Sequence, residues 1–449
     1  MGSKESLQFN KFEVFSNKNN KSVDIRSIPR IEYRESVLSP FVIITAQIVE
    51  TGNTMSADDG SSATVSALEG LNLQGTEKVL FEIEDANGNK IKLTDDNDLR
   101  IATVSRVAQS FKNISYQLNI VSKEAYDNTL LDTRVRTKFD GKISDCVRRI
   151  LTEFLKTEKD LEVDETTNTY EKWGVDDYPF DKILHLQQIS IPNIKDALGK
   201  TSGYLFWETS EGYKFKSLDN LFKISGSFPR YTDNRGRKIK NYIENKKVDR
   251  LNVPQGFDDK ILYSKIDRTI DALGQFESGA YGTVLEFFDE VNKTYTKKDP
   301  FIPPPDGNGE IAGKELPQFN QEYQGKATTR VVAQRDVGQT FSSGDSIEKQ
   351  VEKNTLEGIS VEDVLQQSQQ NFRQKFNMSA EIIIPADFSL HAGDLVYCEF
   401  PELSTKSTLT KTPKDSGIYM ISDLCHYGDK AQTYTGLRLV RDSFGVKVT

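Results

Sequence analysis

The chain has 449 residues, 36% hydrophobic and 28% charged, too long for a single core when domains average roughly 150 residues. Its 58 basic against 67 acidic residues leave a formal charge of -9, which argues against a surface built to grip nucleic-acid phosphates. Three cysteines make no disulfide framework, and the longest apolar run, residues 41–49, falls far short of the roughly 20 residues a bilayer span needs. With no early apolar segment, the expectation is a soluble chain made in a cytoplasm, with no membrane anchor.

Residues 1–40 are polar and rich in Asn and Lys, and their two short apolar pieces, 9–15 and 28–33, read as edge strands or an arm. FVIITAQIVE at 41–50 is dense in β-branched residues and predicts a strand. After a Gly/Ser/Asp loop at 51–63 come LQGTEKVLFEIED, the turn Ala86-Asn87-Gly88-Asn89 and LRIATVSRVAQSFKNISYQLNIVS. They predict an antiparallel meander ending near Ser122, with Asn-Gly supplying the positive φ of a tight hairpin.

From Gly141 the apolar period lengthens. Ile143, Cys146, Val147, Ile150, Leu151, Phe154 and Leu155 share one helical face. A second helix is predicted from Pro192-Asn193 to near Gly203, capped by Asn193. Tyr204–Glu208 and Tyr213–Lys216 then flank a turn as a hairpin. Short strands resume over 261–288, whereas residues 301–359 are rich in Pro, Gly and Gln and read as an extended or partly disordered excursion. Val361, Leu365, Phe372 and Phe376 restore helical spacing behind a capping box at Ser360 and Asp363.

The closing stretch, FSLHAGDLVYCEFPE and then SGIYMISDLCHYGDKAQTYTGLRLVRDS, is nearly all strand and turn, with strands opening at Leu395, Gly417 and Tyr434. It follows the order of residues 73–122. Gly75 matches Gly393, Val79 Val396, Glu82 Glu399, Ser105 Ser422, Tyr116 Tyr434 and Ile120 Leu439, about 318 positions apart throughout, which points to a duplicated β module. Meanders of unrelated origin can share an order, so the pairing pattern of the strands is the test.

The chemistry-bearing residues are sparse. His391, Cys398, Cys425 and His426 lack the paired spacing of a zinc site, Asp58-Asp59 and the acidic turn Asp95-Asp96-Asn97-Asp98 lack the register of a calcium loop, and Gly307 to Lys314 has the wrong glycine spacing for a phosphate loop. Glu208 and Glu211 beside Trp207 could serve a glycosidase, although such pairs are common on exposed hairpins. Three histidines and no GxSxG leave a nucleophilic hydrolase without parts. The expectation is a chain that is not an enzyme and holds no cofactor or metal.

YQLNIVSKEAYDNTLLDTRVRTKFDGKISDCVRRILTEFL, IPNIKDALGKTSGYLFWETSEGYKFKSLDNLF and LHAGDLVYCEF with SGIYMISDLCHY together resemble the central baseplate hub proteins of contractile-tailed phages, the T-even-like hub family. The resemblance covers about residues 40–300 and 360–440. It implies a structural virion protein, a homotrimer whose chains each bring two similar tube-type β-barrels. The resulting six barrels would continue the hexameric tail tube protein above and accept the trimeric spike protein below. Neighbouring baseplate proteins would surround them, and DNA would transit the lumen without sequence-specific binding. An acidic or neutral lumen would let DNA slide where a basic one would hold it.

On this reading the fold is α+β and β-dominated. Residues 1–125 form the first tube barrel, 126–250 an α+β domain, 251–300 with 377–449 the second barrel, and 301–376 a loop-rich, helical insertion. Val79, Phe81, Tyr116, Leu118 and Ile120 in the first barrel, and Val396, Tyr397, Leu437 and Leu439 in the second, are the candidates to line or join barrels. A receptor-binding or adhesin baseplate protein is the alternative, with a polysaccharide-degrading tail enzyme behind it.

Overall fold

The computed structural model describes residues 7–18, 21–56, 63–94, 99–170, 173–193, 203–226, 230–244, 260–267, 272–280, 282–289, 294–297, 310–317, 319–323, 326–327, 329–334, 368, 370–400, 414–429 and 432–446. Residues 194–202 of the expected second helix, the capping box at 360–363, the carboxylate clusters at 58–59 and 95–98 and most of 301–359 lie outside these residues.

Alternating apolar and polar residues build the first part. It comprises β1 (Gln8–Phe15), β2 (Ser22–Asp24), β3 (Arg30–Ser36), β4 (Ile43–Glu50), a ribbon of β5 (Met55–Ser56) and β6 (Thr64–Val65), the short helix α1 (Ala67–Gly70), then β7 (Lys78–Glu84), β8 (Lys90–Leu93), β9 (Leu99–Gln109) and β10 (Ile114–Ser122). In β10 the period of two sends Ile114, Tyr116, Leu118 and Ile120 into the core and Ser115, Gln117, Asn119 and Val121 to the other face. The turn from β7 to β8 is held as expected. The Asp85 carboxylate accepts the N–H groups of Asn87 and Asn89, each at 2.9 Å, and Gly88 takes φ +86°.

The middle of the chain holds α2 (Lys123–Asp127), α3 (Ile143–Arg149), β11 (Leu161–Val163), α4 (Pro179–Ile189), β12 (Tyr204–Thr209), β13 (Gly212–Ser217) and α5 (Leu218–Phe222). The predicted apolar face, running from α3 on to Leu155, is buried except for half-buried Phe154. The last turn of the helix loosens so that Leu155 N–H reaches Ile150 O at 3.2 Å. α4 was not anticipated; it starts with Pro179 at its first turn, where a missing N–H costs nothing. α3, α4 and the β11–β13–β12 sheet enclose a core of their own.

The rest is β14 (Lys240–Glu244), β15 (Lys260–Ile261), β16 (Tyr263–Asp267), α6 (Ala272–Ser278), β17 (Thr283–Asp289), β18 (Thr294–Lys297), β19 (Thr329–Gln334), β20 (Met378–Pro385), β21 (Leu395–Glu399), β22 (Gly417–Asp429) and β23 (Thr433–Arg441). β17, β18 and β19 form a separate small sheet. The other strands of this part join those of the first, apart from the separate β5–β6 ribbon, in one large sheet over a common core that reaches from Phe12 to Leu439. The chain is thus α+β with strands predominating. One expectation is corrected: β3, read as an edge strand or arm, lies in the middle of the large sheet between β4 and β22.

Candidate functional site

The large sheet contains one strand pattern twice. β3, β4, β10 and β9 lie side by side with β7 joined to the start of β9, and β16, β20, β23, β22 and β21 repeat that arrangement. One row of facing residues reads Tyr33, Ile44, Ile120, Ile101 in the first module and Ile266, Ala380, Leu439, Ile421 in the second. The next row reads Ile31, Ala46, Leu118, Val104 against Ser264, Ile382, Leu437, Leu424. Between these rows both modules carry a bulge at the same place, with Ala102 and Ser422 as the extra residues.

The turn leading into each module repeats as well. Ile101 accepts from Thr76 N at 2.7 Å and donates to Glu77 O at 3.0 Å, while Ile421 accepts from Gly393 N at 2.8 Å and donates to Asp394 O at 2.9 Å. The Glu77 carboxylate accepts the Gln74 N–H at 2.8 Å, and the Asp394 carboxylate the His391 N–H at 3.0 Å. A shared fold class explains two meanders. It does not explain a shared bulge and a shared carboxylate-capped turn, which duplication does. The letter-by-letter matches need correction where bulges and turn lengths intervene: Gly393 stands where Thr76 does, Ser422 where Ala102 does and Thr435 where Tyr116 does. Val79 with Val396 and Ile120 with Leu439 keep their places.

The modules meet edge to edge. β22 pairs antiparallel with β3 from Asp423↔Ser36 to Asp429↔Arg30. Beneath this seam the Tyr33 ring stacks on His426 at 5.9 Å, and burial pushes the His426 pKa down to about 3, so it stays neutral and bonds Thr435 Oγ1 at 2.8 Å. Above it, Arg30 and Arg34 share the Glu32 carboxylate, and the Arg30 guanidinium lies 5.2 Å over the Tyr427 ring. Alongside, uncharged groups link β4, β10 and β9. Asn119 Nδ2 donates to Thr103 Oγ1 at 2.7 Å, and Asn119 Oδ1 accepts from Gln117 Nε2 at 3.1 Å and Thr45 Oγ1 at 3.3 Å. This upper face is open, with a groove of about 490 Å³ bordered by Arg34, Ile43, Tyr263, Ile383, Cys425 and Arg438.

The candidates Val79, Phe81, Tyr116, Leu118, Ile120, Val396, Tyr397, Leu437 and Leu439 are each at most 3% exposed. All but Tyr397 belong to the core beneath the sheet; Tyr397 packs in a neighbouring cluster with Trp207. The groups presented at the open face are their alternates, among them Gln117, Asn119 and Arg438, which the period of two already separated from them.

A clamp that the sequence reading missed fastens the middle unit to both modules through the β12–β13 hairpin. Glu208, 1% exposed, accepts the Val42 N–H at 2.9 Å and the Ser122 hydroxyl, and pairs with Lys159 Nζ at 2.6 Å. Lys159 also holds Glu124 at 2.5 Å. Burial opposes the Lys159 charge, but the two carboxylates outweigh it and raise the pKa, keeping the ammonium protonated. Glu208 is therefore a structural anchor rather than half of an exposed acid pair.

On the other side of the hairpin, Glu35 Oε1 accepts from Tyr33 OH at 2.7 Å and Ser210 N at 3.0 Å and faces His391 Nδ1 at 3.1 Å. Glu35 Oε2 accepts the Ala392 N–H at 2.9 Å, and Trp207 Nε1 donates to Ala392 O at 3.0 Å. Burial would lower the His391 pKa, but Glu35, then Asp394 and Glu211, lift it to about 9. Burial raises Asp394 to about 6 despite Arg237 and His391. Arg235 and Arg237 both reach Asp394.

His391 and His426 thus have separate partners, Cys398 is buried and Cys425 borders the open face. Among the described residues no group of three or more His, Cys, Asp and Glu is placed to hold a metal ion.

No protein-family model matches the chain, and no curated protein matches it. Among solved structures it is similar to the 43 kDa tail protein of prophage MuSo2 from Shewanella oneidensis, at 8% identity and TM-score 0.49 over 97% of this chain and 98% of that one. It is also similar to a tail protein from Neisseria meningitidis MC58, at 9% identity and TM-score 0.47 over 97% of each chain. The prophage tail protein gp18 from Listeria monocytogenes EGD-e matches at 9% identity and TM-score 0.46 over 97% of this chain and 95% of that one.

Proposed function

We propose that the chain is the structural hub of a contractile phage tail baseplate, a homotrimer in which three chains set six related modules in a ring. The ring joins a hexameric tail tube protein to a trimeric spike protein and encloses part of the DNA ejection conduit. The observation that carries this reading is the repeat itself, with its modules already joined edge to edge inside one chain. A ring of identical single modules has one symmetry. A doubled module lets a threefold object offer six similar positions to one partner and three to another. The sequence resemblance to baseplate hubs points the same way.

The open face of the sheet suits the wall of a conduit. Arg30 and Arg34 there share the Glu32 carboxylate, and the band of Thr45, Gln117, Asn119 and Thr103 carries no charge. A passing duplex has one phosphate charge about every 1.7 Å of its axis, and the uncharged band offers it no cation on which to release counterions and stick. The work is mechanical, with no turnover. Negative-stain microscopy of the purified chain tests the reading: rings of threefold symmetry with six similar lobes and a central hole are expected, whereas single compact particles, or the chain located at the tips of tail fibres, would refute it.

A further inference from the structure

The two modules share their strands and their bulge, but their open faces differ in kind. Resting on the ring proposed above, we infer that the groove at the seam, present once per chain, is a docking site for the trimeric spike protein. Each spike subunit lays an extended segment with apolar side chains into one groove.

The shared register allows the two faces to be compared position by position. One open-face row of the first module runs Arg30, Gln47, Gln117, Ser105, and its counterpart in the second runs Tyr263, Ile383, Gly436, Cys425. A polar row is replaced by an apolar one. The next row runs Glu32, Thr45, Asn119, Thr103 in the first module and Lys265, Glu381, Arg438, Asp423 in the second, so it is hydrophilic in both. Of these two rows, only the one that crosses the groove has turned apolar, and Phe41 and Ile43 of the first module border the same groove. Ile383 is 37% exposed and Tyr263 54%, and contiguous apolar surface of this kind marks an interaction site.

Gly436 is what opens the floor. It lies inside β23 and pairs in regular register with Ile383 on one side and Cys425 on the other, with no bulge at that point. Its backbone has no need of a glycine, because φ lies outside the left-handed region and a Cβ would meet nothing nearer than Cys425 O at 3.8 Å. A glycine inside a strand gives up packing and backbone entropy. Where no bulge or bend calls for it, it marks the close approach of a ligand or of another backbone. The groove, about 490 Å³, falls in the range of roughly 300–1,000 Å³ typical of specific binding sites. Arg34 and Arg438 at its rim are paired with Glu32 and Asp423, which leaves a floor suited to aliphatic or aromatic side chains rather than to phosphate.

Symmetry selects the occupant. Gln117 fills the matching place in the first module, so a ring of three chains carries three grooves and not six. A hexameric partner that treats the two modules alike has no use for a feature found on every second one, whereas a trimeric partner meets three equivalent grooves.

The chain supplies its own probe. Cys146 and Cys398 are buried, while Cys425 is half-buried and borders the groove, so a maleimide added to the folded chain reports on Cys425. Its labelling rate is followed in the purified full chain, in the chain with the spike protein of the same tail, and in the chain with the tail tube protein. Light scattering records assembly, and co-sedimentation records spike binding. Two variants restore first-module residues in the groove: Gly436→Gln, where a Cβ has room, and Ile383→Gln, at an exposed position where a change costs little stability.

The spike protein should slow labelling at least tenfold and the tube protein should leave it unchanged. Both variants should still form trimers and should bind the spike at least tenfold more weakly. Trimers that bind the spike with Cys425 labelling unchanged, or with both variants binding as tightly as the parent, overturn the groove as the docking site and leave the ring intact. Full protection in the trimer alone assigns the groove to a second copy, and protection by the tube protein assigns it to the sixfold partner; either result overturns the proposal. Monomers under every condition overturn both the proposal and the ring.

Discussion

Removing the Glu208 carboxylate should release the middle unit from the two modules before either of them unfolds. In Glu208→Ala the buried Val42 N–H loses its acceptor, a penalty of about 1–3 kcal/mol. Breaking a buried ion pair typically costs about 3–5 kcal/mol, and the low end applies because Lys159 keeps Glu124. The contributions overlap, so about 4 kcal/mol is expected in all. Glu208→Gln still offers an oxygen to Val42 and Ser122 and leaves Lys159 balanced by one carboxylate, so about 1 kcal/mol is expected.

The reporter is built in. The chain has 2 Trp; Trp207 is 2% exposed at the clamp and Trp173 is 43% exposed, so Trp173→Phe leaves Trp207 as the sole indole. Since a chain of several units need not unfold in one step, the denaturant curve of Trp207 emission is compared with far-ultraviolet ellipticity, which follows the strands. Glu208→Ala should redden the emission in a separate early transition. Coincident curves displaced by less than about 0.5 kcal/mol from the parent, the range of an ordinary surface change, would refute the clamp.

Other outcomes follow from neighbouring residues. His391 has a folded pKa of about 9 against 6.5 for the free group, so its contribution is complete below 6.5, is lost as pH rises through 9, and amounts to roughly 3 kcal/mol at most; His391→Gln should flatten that part of the stability–pH curve, and an unchanged slope would show that His391 does not bridge the modules. Gly393→Ala would place a Cβ 2.4 Å from the Trp207 ring at φ +88°, whereas at Gly75, φ +116°, the nearest atom is 3.8 Å away. The first substitution should cost at least about 3 kcal/mol and the second only the 1–2 kcal/mol of backbone strain, by thermal or denaturant midpoint; equal costs would contradict the packing described. Lysines at Thr45, Gln117 and Asn119 should slow DNA release from tails assembled with the variant, more so at low salt, and unchanged release would remove these residues from the conduit wall.

Most strands were legible because a period of two is a local property. The β12–β13 hairpin, the Asn-Gly turn after β7 and the strands from Leu395 onward stand where their residues placed them. The repeat was legible in order but not in register, since a bulge such as Ala102 or Ser422 shifts alignment without leaving a mark in composition. What depends on distant partners was not legible. β3 read as an edge because its neighbour β22 is far along the chain, Ser36 meeting Asp423 across a separation of 387 residues. Glu35 and His391, separated by 356, gave no sign of each other. The candidate joining residues were chosen for apolar character, the property that buried them.

The most direct test of the account is the mass of the full chain in solution by light scattering over a rising concentration series. A chain of 50.8 kDa that forms the proposed ring should settle at the mass of three copies and stop there. A mass that remains that of one copy, halts at two, or climbs without limit as an open filament would contradict it.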